Sequence, residues 1–204
     1  LDAGGLQGSL AALGGLTQLE VLDLSALPPG DPRRDGGTAW EKSSPGILGD
    51  RRYRVPGGGS DPRTGLSGGL GPLASLLRLR FLRIEGTRVG GDLTALRNLT
   101  QLRELHIGSN CLSGDLVPLQ GLLKLRALTI PGRFPWAGGA RPCNGTAGLE
   151  GSLLPVSSLR NLEVLALPWN SLEGDISALR GLSLLTTLSL NENKLAGDLS
   201  SVSN

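Results

Sequence analysis

The sequence predicts a solenoid of short parallel strands, built from a repeat of about 23 residues. Leucine or isoleucine recurs at one anchor position, which is occupied by Leu10, Leu70, Leu93, Leu116, Leu153, Ile176 and Leu199. Four of the six intervals between these residues are 23 residues long. The other two are 60 residues, which is one repeat plus 37, and 37 residues, which is one repeat plus 14. Self-similarity at a fixed period is the signature of repeat architectures, so two insertions interrupt one stack of units.

Within a unit, the apolar residues are three apart and then two apart. Leu93, Leu96, Leu99 and Leu102 show the first spacing, and the segment Leu105-His106-Ile107 shows the second. A step of three fits neither a helix nor a half-buried strand and suits a coil with three-residue sides, whereas the step of two predicts a short strand. One unit cannot bury its own leucines, so the units must stack.

Turn residues recur at fixed offsets after this strand. An asparagine three residues past the strand core can bond backbone groups as the chain turns. Glycine supplies the positive φ of a second turn, and an aspartate beside it is expected to bond neighbouring N–H groups. These residues are Asn110, Asn170 and Asn193; Gly91, Gly114, Gly174 and Gly197; and Asp92, Asp115, Asp175 and Asp198.

Three segments resemble the plant-type subclass of the leucine-rich-repeat family, whose consensus is LxxLxxLxLxxNxLxG. They are LRELHIGSNCLSG (102–114), LEVLALPWNSLEG (162–174) and LTTLSLNENKLAG (185–197). Departures are Gly-Asp-Leu in place of Gly-x-Ile-Pro, and Thr87 in place of asparagine. Together with the Arg, Gly, Ala and Pro bias, the Gly-Asp-Leu form suggests an algal or protist member.

The resemblance implies an α/β-type solenoid: a curved, right-handed coil stack of short parallel strands with few or no regular helices. We expect a single domain over 1–204, with about six repeats and insertions at about 25–65 and 131–148. Both insertions leave just past the strand, which places them on one rim. The two ends start and stop inside units, which suggests a fragment of a longer solenoid.

The charge is nearly balanced, with 20 basic and 18 acidic residues and a formal net charge of +2. This argues against a nucleic-acid partner, since such proteins usually carry a basic excess. No apolar run is long enough to cross a bilayer, so no membrane insertion is expected in this stretch. The lone histidine, His106, lacks a positioned nucleophile and a metal-ligand set, and no phosphate-cradling glycine loop is present. We therefore expect no enzymatic activity and no cofactor.

Outward-facing strand positions should line the concave sheet in columns of mixed chemistry. The central column contains Arg83 and His106 beside the column with Phe81 and Glu104; Glu85 and Trp169 lie in the columns that follow. Rigid strands that carry varied side chains suit ligand recognition. These six residues are the predicted centre of a binding face.

The remaining aromatic residues fall in the insertions: Trp40, Tyr53, Phe134 and Trp136. Two interpretations stay open, because aromatics gathered at one edge mark binding surfaces but also fill small satellite cores. The first insertion carries seven cations against five acids, which suits either a solvated loop or a partner-docking loop.

Cys111 and Cys143 lie in successive coils, so they can form a disulfide or remain two unpaired thiols. Asn98-Leu99-Thr100 and Asn144-Gly145-Thr146 are N-glycosylation sequons. The resembling family carries Asn-Leu-Thr at this convex position in secreted members. These features favour an extracellular or cell-surface protein in the secretory pathway.

Two functions follow as hypotheses. The first is a recognition module that binds a protein, peptide or glycan through the concave sheet and the insertion rim. The second is a building block of an extracellular fibre, coat or assembly, in which open solenoid ends contact neighbouring subunits. An ice-binding surface needs a regular ladder of one residue type, and the mixed columns disfavour it.

Overall fold

The computed structural model is a stack of coils made of short parallel strands, as predicted. It describes residues 7–24, 65–85, 87–108, 111–132 and 148–202. The strands are β1 (Gln7–Ser9), β2 (Val21–Asp23), β3 (Gly65–Gly69), β4 (Phe81–Arg83), β5 (Arg88–Gly91), β6 (Glu104–His106), β7 (Cys111–Leu112), β8 (Ala127–Thr129), β9 (Glu150–Ser152), β10 (Val164–Ala166), β11 (Ser171–Asp175), β12 (Thr187–Ser189) and β13 (Lys194–Ala196).

One six-stranded parallel sheet, in the order β12-β10-β8-β6-β4-β2, runs along the stack. Leu82, Leu105 and Leu128 pair in register on β4, β6 and β8, which confirms the 23-residue step. Leu22 pairs with Leu82 and Leu128 with Leu165, so neither insertion shifts the register. The strand predicted around Leu105–Ile107 begins one residue earlier, at Glu104.

The second strand of each unit forms two further parallel sheets, β1-β3-β5-β7 and β13-β11-β9. A backbone hydrogen bond of 2.9 Å from Glu150 N to Gly114 O links them. Single turns of 3-10 helix follow these strands, and no α-helix occurs within the described ranges. The turns span Leu10–Leu13, Gly71–Ser75, Thr94–Leu96, Val117–Leu119, Leu154–Ser158, Ile176–Leu179 and Leu199–Val202.

The aspartates beside the turn glycines cap the 3-10 turns. Asp92 Oδ1 accepts a hydrogen bond from Thr94 N at 2.9 Å, and Asp175 Oδ1 accepts one from Ser177 N at 2.6 Å. The backbone N–H of Thr94, followed by its side chain, lowers the pKa of Asp92 below its ordinary value of 3.8. The φ of 88° at Gly91 and of 88° at Gly174 confirms that the preceding turn requires glycine.

The leucine columns form one continuous core, and most of their members have no exposed surface. The last coil differs, since Leu188 is 47% exposed whereas its column neighbours Leu105, Leu128 and Leu165 are 0% exposed. Asn170 is buried and bonds backbone atoms: its amide nitrogen donates to Ile130 O at 2.8 Å and its oxygen accepts from Leu149 N at 3.0 Å. This confirms the predicted role of the asparagine, while Asn110 lies outside the described residues.

Candidate ligand-binding face

Five of the predicted binding residues lie together on β4, β6 and the turn after β4. Phe81 pairs with Glu104, and Arg83 pairs with His106; Leu82 and Leu105 between them face the core. We call the side of the six-stranded sheet turned away from the core the concave face. The concave site is the group Phe81, Arg83, Glu85, Glu104 and His106. Phe81 and Arg83 are half-buried.

Charged side chains contact one another around this site. Arg83 Nη1 lies 3.9 Å from Asp23 Oδ2 on β2, and His106 Nε2 lies 3.5 Å from Glu104 Oε2. The Asp23 side chain is 50% exposed, whereas the side chain of His106 is only 6% exposed. Such a long ion pair at an exposed partner contributes little stability. The contact between Arg83 and Asp23 therefore orients these side chains more than it stabilises the fold.

Three buried polar atoms of the concave face have no hydrogen-bond partner among the described residues: Glu85 Oε1, Thr129 Oγ1 and His106 Nε2, whose 3.5 Å contact with Glu104 is not a hydrogen bond. Thr129 pairs with His106 on the adjacent strand β8. Nearly all buried polar side chains in proteins are hydrogen-bonded, so three unpartnered atoms on this face indicate unused bonding capacity. Thr129 is not among the residues predicted for the site, although its place in the column beside His106 was the available signal.

The neighbouring part of the concave face is less exposed than the alternating pattern predicts. On β8 and β10, the outward residues Ala127, Val164 and Ala166 are buried, as is His106 on β6. Val21, in the same column on β2, is 47% exposed. Fully exposed outward side chains on the strands are thus found on β2, at one end of the sheet, and His106 is a buried group rather than an exposed contact.

Trp169 is separated from the other predicted residues. It follows β10, three strands from β4, or about 14 Å at the usual strand spacing. Its φ of 55° is unusual for a non-glycine residue, and its N–H donates to Asn191 O at 3.0 Å. A Cβ at Gly132 would overlap the Trp169 carbonyl, so glycine permits this close approach. The structure does not bring Trp169 into the concave site.

Several predicted residues lie outside the described residues. They are Trp40, Tyr53, Phe134, Trp136, Cys143 and Asn144. Cys111, the predicted partner of Cys143, is disulfide-bonded in the structure. Asn98 and Thr100 are exposed on either side of the buried Leu99. The pairing of Cys111 with Cys143 and the glycosylation of both sequons remain predictions.

The described residues show no group of three or more His, Cys, Asp or Glu side chains that could hold a metal ion. Over the same ranges, no helix has the length and hydropathy needed to cross a membrane. The polar groups of the concave site can donate and accept hydrogen bonds and offer an aromatic contact at Phe81.

Comparison with solved structures identifies the fold. An internalin C2 from Listeria monocytogenes matches with a TM-score of 0.51 and 22% identity over 72% of this chain and 62% of its own. The leucine-rich-repeat ectodomain of the Arabidopsis receptor kinase HAESA, solved with an extended IDA peptide hormone ligand, matches with a TM-score of 0.54 and 21% identity over 65% of this chain and 21% of its own.

This chain has the fold of a leucine-rich-repeat solenoid. A plant ice-binding protein has the same overall architecture, with a TM-score of 0.52 and 22% identity over 96% of this chain and 56% of its own. The solenoid thus spans less than two thirds of each of these three proteins. No protein-family model matches the chain, and no curated protein matches it. At these identities, the likeness shows the fold alone.

Proposed function

We propose that the solenoid is a non-enzymatic recognition module that binds an extracellular protein, peptide or glycan at the concave site. The observation that carries this proposal is the group of buried polar atoms without partners at Glu85, His106 and Thr129. These three atoms have almost no exposed surface, so binding requires the side chains that cover them to move. A ligand that then donates to the Glu85 carboxylate and bonds the imidazole and hydroxyl would satisfy all three. Leaving such groups unpaired costs about 1–3 kcal/mol each, which a bonded ligand would recover.

The side chains around these atoms supply further contacts. Phe81 offers a half-buried ring, and Arg83 retains part of its guanidinium for a ligand because its contact with Asp23 is long, at 3.9 Å. Aromatic and arginine side chains are the usual energetic centres of interfaces. The HAESA ectodomain was solved with a peptide, but at 21% identity the proposal depends on this chain's own residues.

Selection of a random linear peptide library on the immobilised protein, together with a glycan array, tests the proposal. Selected ligands should bind Arg83→Ala at least tenfold more weakly, since loss of a charge-assisted hydrogen bond corresponds to about that factor. Thr187→Ala is the matched control, because Thr187 is an outward residue of the same sheet on β12. Ligands that bind Arg83→Ala and wild type equally would contradict the proposed site.

The alternative function, a structural building block, is favoured by the last coil. Its Leu188 is 47% exposed, Leu199 is 74% exposed, and β12 and β13 are edge strands. A second copy could extend both sheets by placing its β2 beside β12 and its β1 beside β13, and such head-to-tail contacts propagate. Sedimentation over a concentration series tests this: growing oligomers that Leu188→Glu abolishes support it, and a discrete monomer at all concentrations excludes it.

We further propose that the protein enters the secretory pathway, with glycans at Asn98 and Asn144 and a Cys111–Cys143 disulfide. The exposure of Asn98 and Thr100 and the bonded state of Cys111 support this. Enzymatic deglycosylation and non-reducing peptide mapping of the protein secreted from a eukaryotic host would test both modifications. An unmodified Asn98 peptide, or a Cys111 bridge to another molecule, would contradict the respective assignment.

A further inference from the structure

A charged residue directly precedes each of the strands β2, β4, β6, β8 and β10, so these residues form a row along one edge of the six-stranded sheet. In order along the stack, the row consists of Glu20, Arg80, Arg103, Arg126 and Glu163. The backbone N–H of each residue donates to the carbonyl oxygen of the one before it, at 2.7 to 2.8 Å. These bonds place the five residues one coil apart, at steps of about 4.8 Å.

A second row runs beside the first, two residues earlier in each coil. In the three central coils it contains Arg78, Gln101 and Lys124. The leucine between the two rows is fully buried in each coil, so its neighbours on both sides are turned outward. We call the five cations of these coils the basic grid: Arg78, Arg80, Arg103, Lys124 and Arg126. All five are exposed, and no acidic residue lies in either row of these coils.

Acidic partners neutralise only the ends of the grid. Arg80 Nη1 lies 3.4 Å from Glu20 Oε2, and Arg126 Nη1 lies 3.8 Å from Glu163 Oε1. Arg103 stands between two arginines and has no acidic partner among the described residues. Like charges at neighbouring positions of adjacent strands repel, so the centre of the grid favours an anion. This local excess contrasts with the whole chain, which has 20 basic and 18 acidic residues.

We propose that the basic grid binds a linear acidic polysaccharide that carries a carboxylate or sulfate on successive sugars. Guanidinium groups bind such oxyanions in a bidentate manner, and one coil step is close to the length of one pyranose unit. The exposed Leu77 and Leu123 border the outer row next to Arg78 and Lys124, where they can contact the C–H face of a sugar. The surface thus offers both charge and apolar contact along one line.

An acidic protein segment fits the grid less well. An extended peptide presents side chains on one face about every 6.7 Å, which does not match steps of about 4.8 Å. Protein interfaces also use aromatic anchors in pockets, and neither row of the grid contains an aromatic residue. The grid precedes the strands, whereas the concave site lies on them, so this inference does not depend on the function proposed for that site.

Titration of the whole protein with a polyuronate, and with the same polymer after methyl esterification, tests the inference. The polyuronate should bind with an affinity that falls as salt rises, and the neutral ester should not bind. Arg103→Gln should weaken binding about tenfold, the loss of one charge-assisted contact. Arg180→Gln, an exposed cation outside the grid, is the control and should bind as wild type does.

Three results would overturn the inference. The first is absence of polyuronate binding at low salt, and the second is equal affinity of Arg103→Gln and wild type. The third is tighter binding of poly-glutamate or duplex DNA than of the polyuronate, which would assign the grid to an acidic protein or a nucleic acid. Equal melting temperatures of both variants and wild type, expected for exposed side chains, ensure that a lost affinity reports the surface.

Discussion

Asn170 connects two coils through one buried amide. Its nitrogen donates to Ile130 O at 2.8 Å and Leu167 O at 3.1 Å, and its oxygen accepts from Leu149 N at 3.0 Å. Removing the amide leaves several buried backbone groups unpaired, and each costs about 1–3 kcal/mol. The asparagine therefore acts as a tie between coils as well as a turn residue, which the spacing in the sequence alone did not indicate.

Asn170→Ala should lower the free energy of unfolding by about 3 kcal/mol, measured by urea denaturation. Asn191→Ala is the matched control, because Asn191 is exposed and, among the described residues, its side-chain oxygen accepts only from Ser189 Oγ, at 3.0 Å. That substitution should change stability by less than about 0.5 kcal/mol. Similar losses in the two variants would show that the buried amide does not connect the coils.

The capping aspartates make the fold sensitive to acid. Hydrogen bonds from residues two positions later lower the pKa of Asp92, Asp175 and Asp198 below 3.8; the main donors are the Thr94 backbone, the Ser177 side chain and the Ser200 backbone, respectively. A carboxyl group whose pKa is lower in the folded state than in the unfolded state stabilises the fold at pH values above the unfolded-state pKa. That stability is lost as the pH falls through the folded-state pKa.

The melting temperature of the wild type should therefore fall between about pH 5 and about pH 2. A variant with Asn at all three positions should show a shallower fall, since asparagine does not titrate and can still cap. The measurement is thermal unfolding by circular dichroism across this range. Identical slopes for the two proteins would contradict a role of these carboxylates in acid unfolding.

At the scale of elements, the spacing of leucines determines most of the structure. The step of two around Leu105 predicted the strand to within one residue, and the recurring Gly-Asp pairs predicted the second turn and the hydrogen bond of its aspartate. These features were predictable because they depend on local sequence and repeat in every coil. The 3-10 turns were not predicted, because their hydrogen bonds, such as Leu96 N to Leu93 O, follow from packing against the next coil.

The position of a coil in the stack should determine how much its leucine contributes to the free energy of unfolding. Leu105 and Leu188 occupy the same column, yet Leu105 is 0% exposed and Leu188 is 47% exposed. Leu105→Ala should cost about 3 kcal/mol, and Leu188→Ala about 1 kcal/mol or less, in urea unfolding of each variant. Equal costs would mean that the last coil is covered in solution, as the assembly hypothesis requires.

At the scale of the whole molecule, the arrangement of the coils explains why site prediction was less complete. The register brought Phe81, Arg83, Glu104 and His106 together as predicted, because parallel pairing follows directly from the repeat. The burial of His106 and the separation of Trp169 from β4 depend on how the coils pack, and a single repeat does not reveal them. The basic grid likewise appears only when rows from successive coils are placed side by side.

The central claim is that the concave site is where a ligand binds. Amide chemical-shift mapping of the isotopically labelled protein with a selected peptide or glycan tests it most directly. We expect the largest shifts at β4 and β6, with Arg83 and His106 among the strongest, and little change at β11 and β13, which belong to a separate sheet. Shifts confined to the second sheets or to the last coil would contradict the claim.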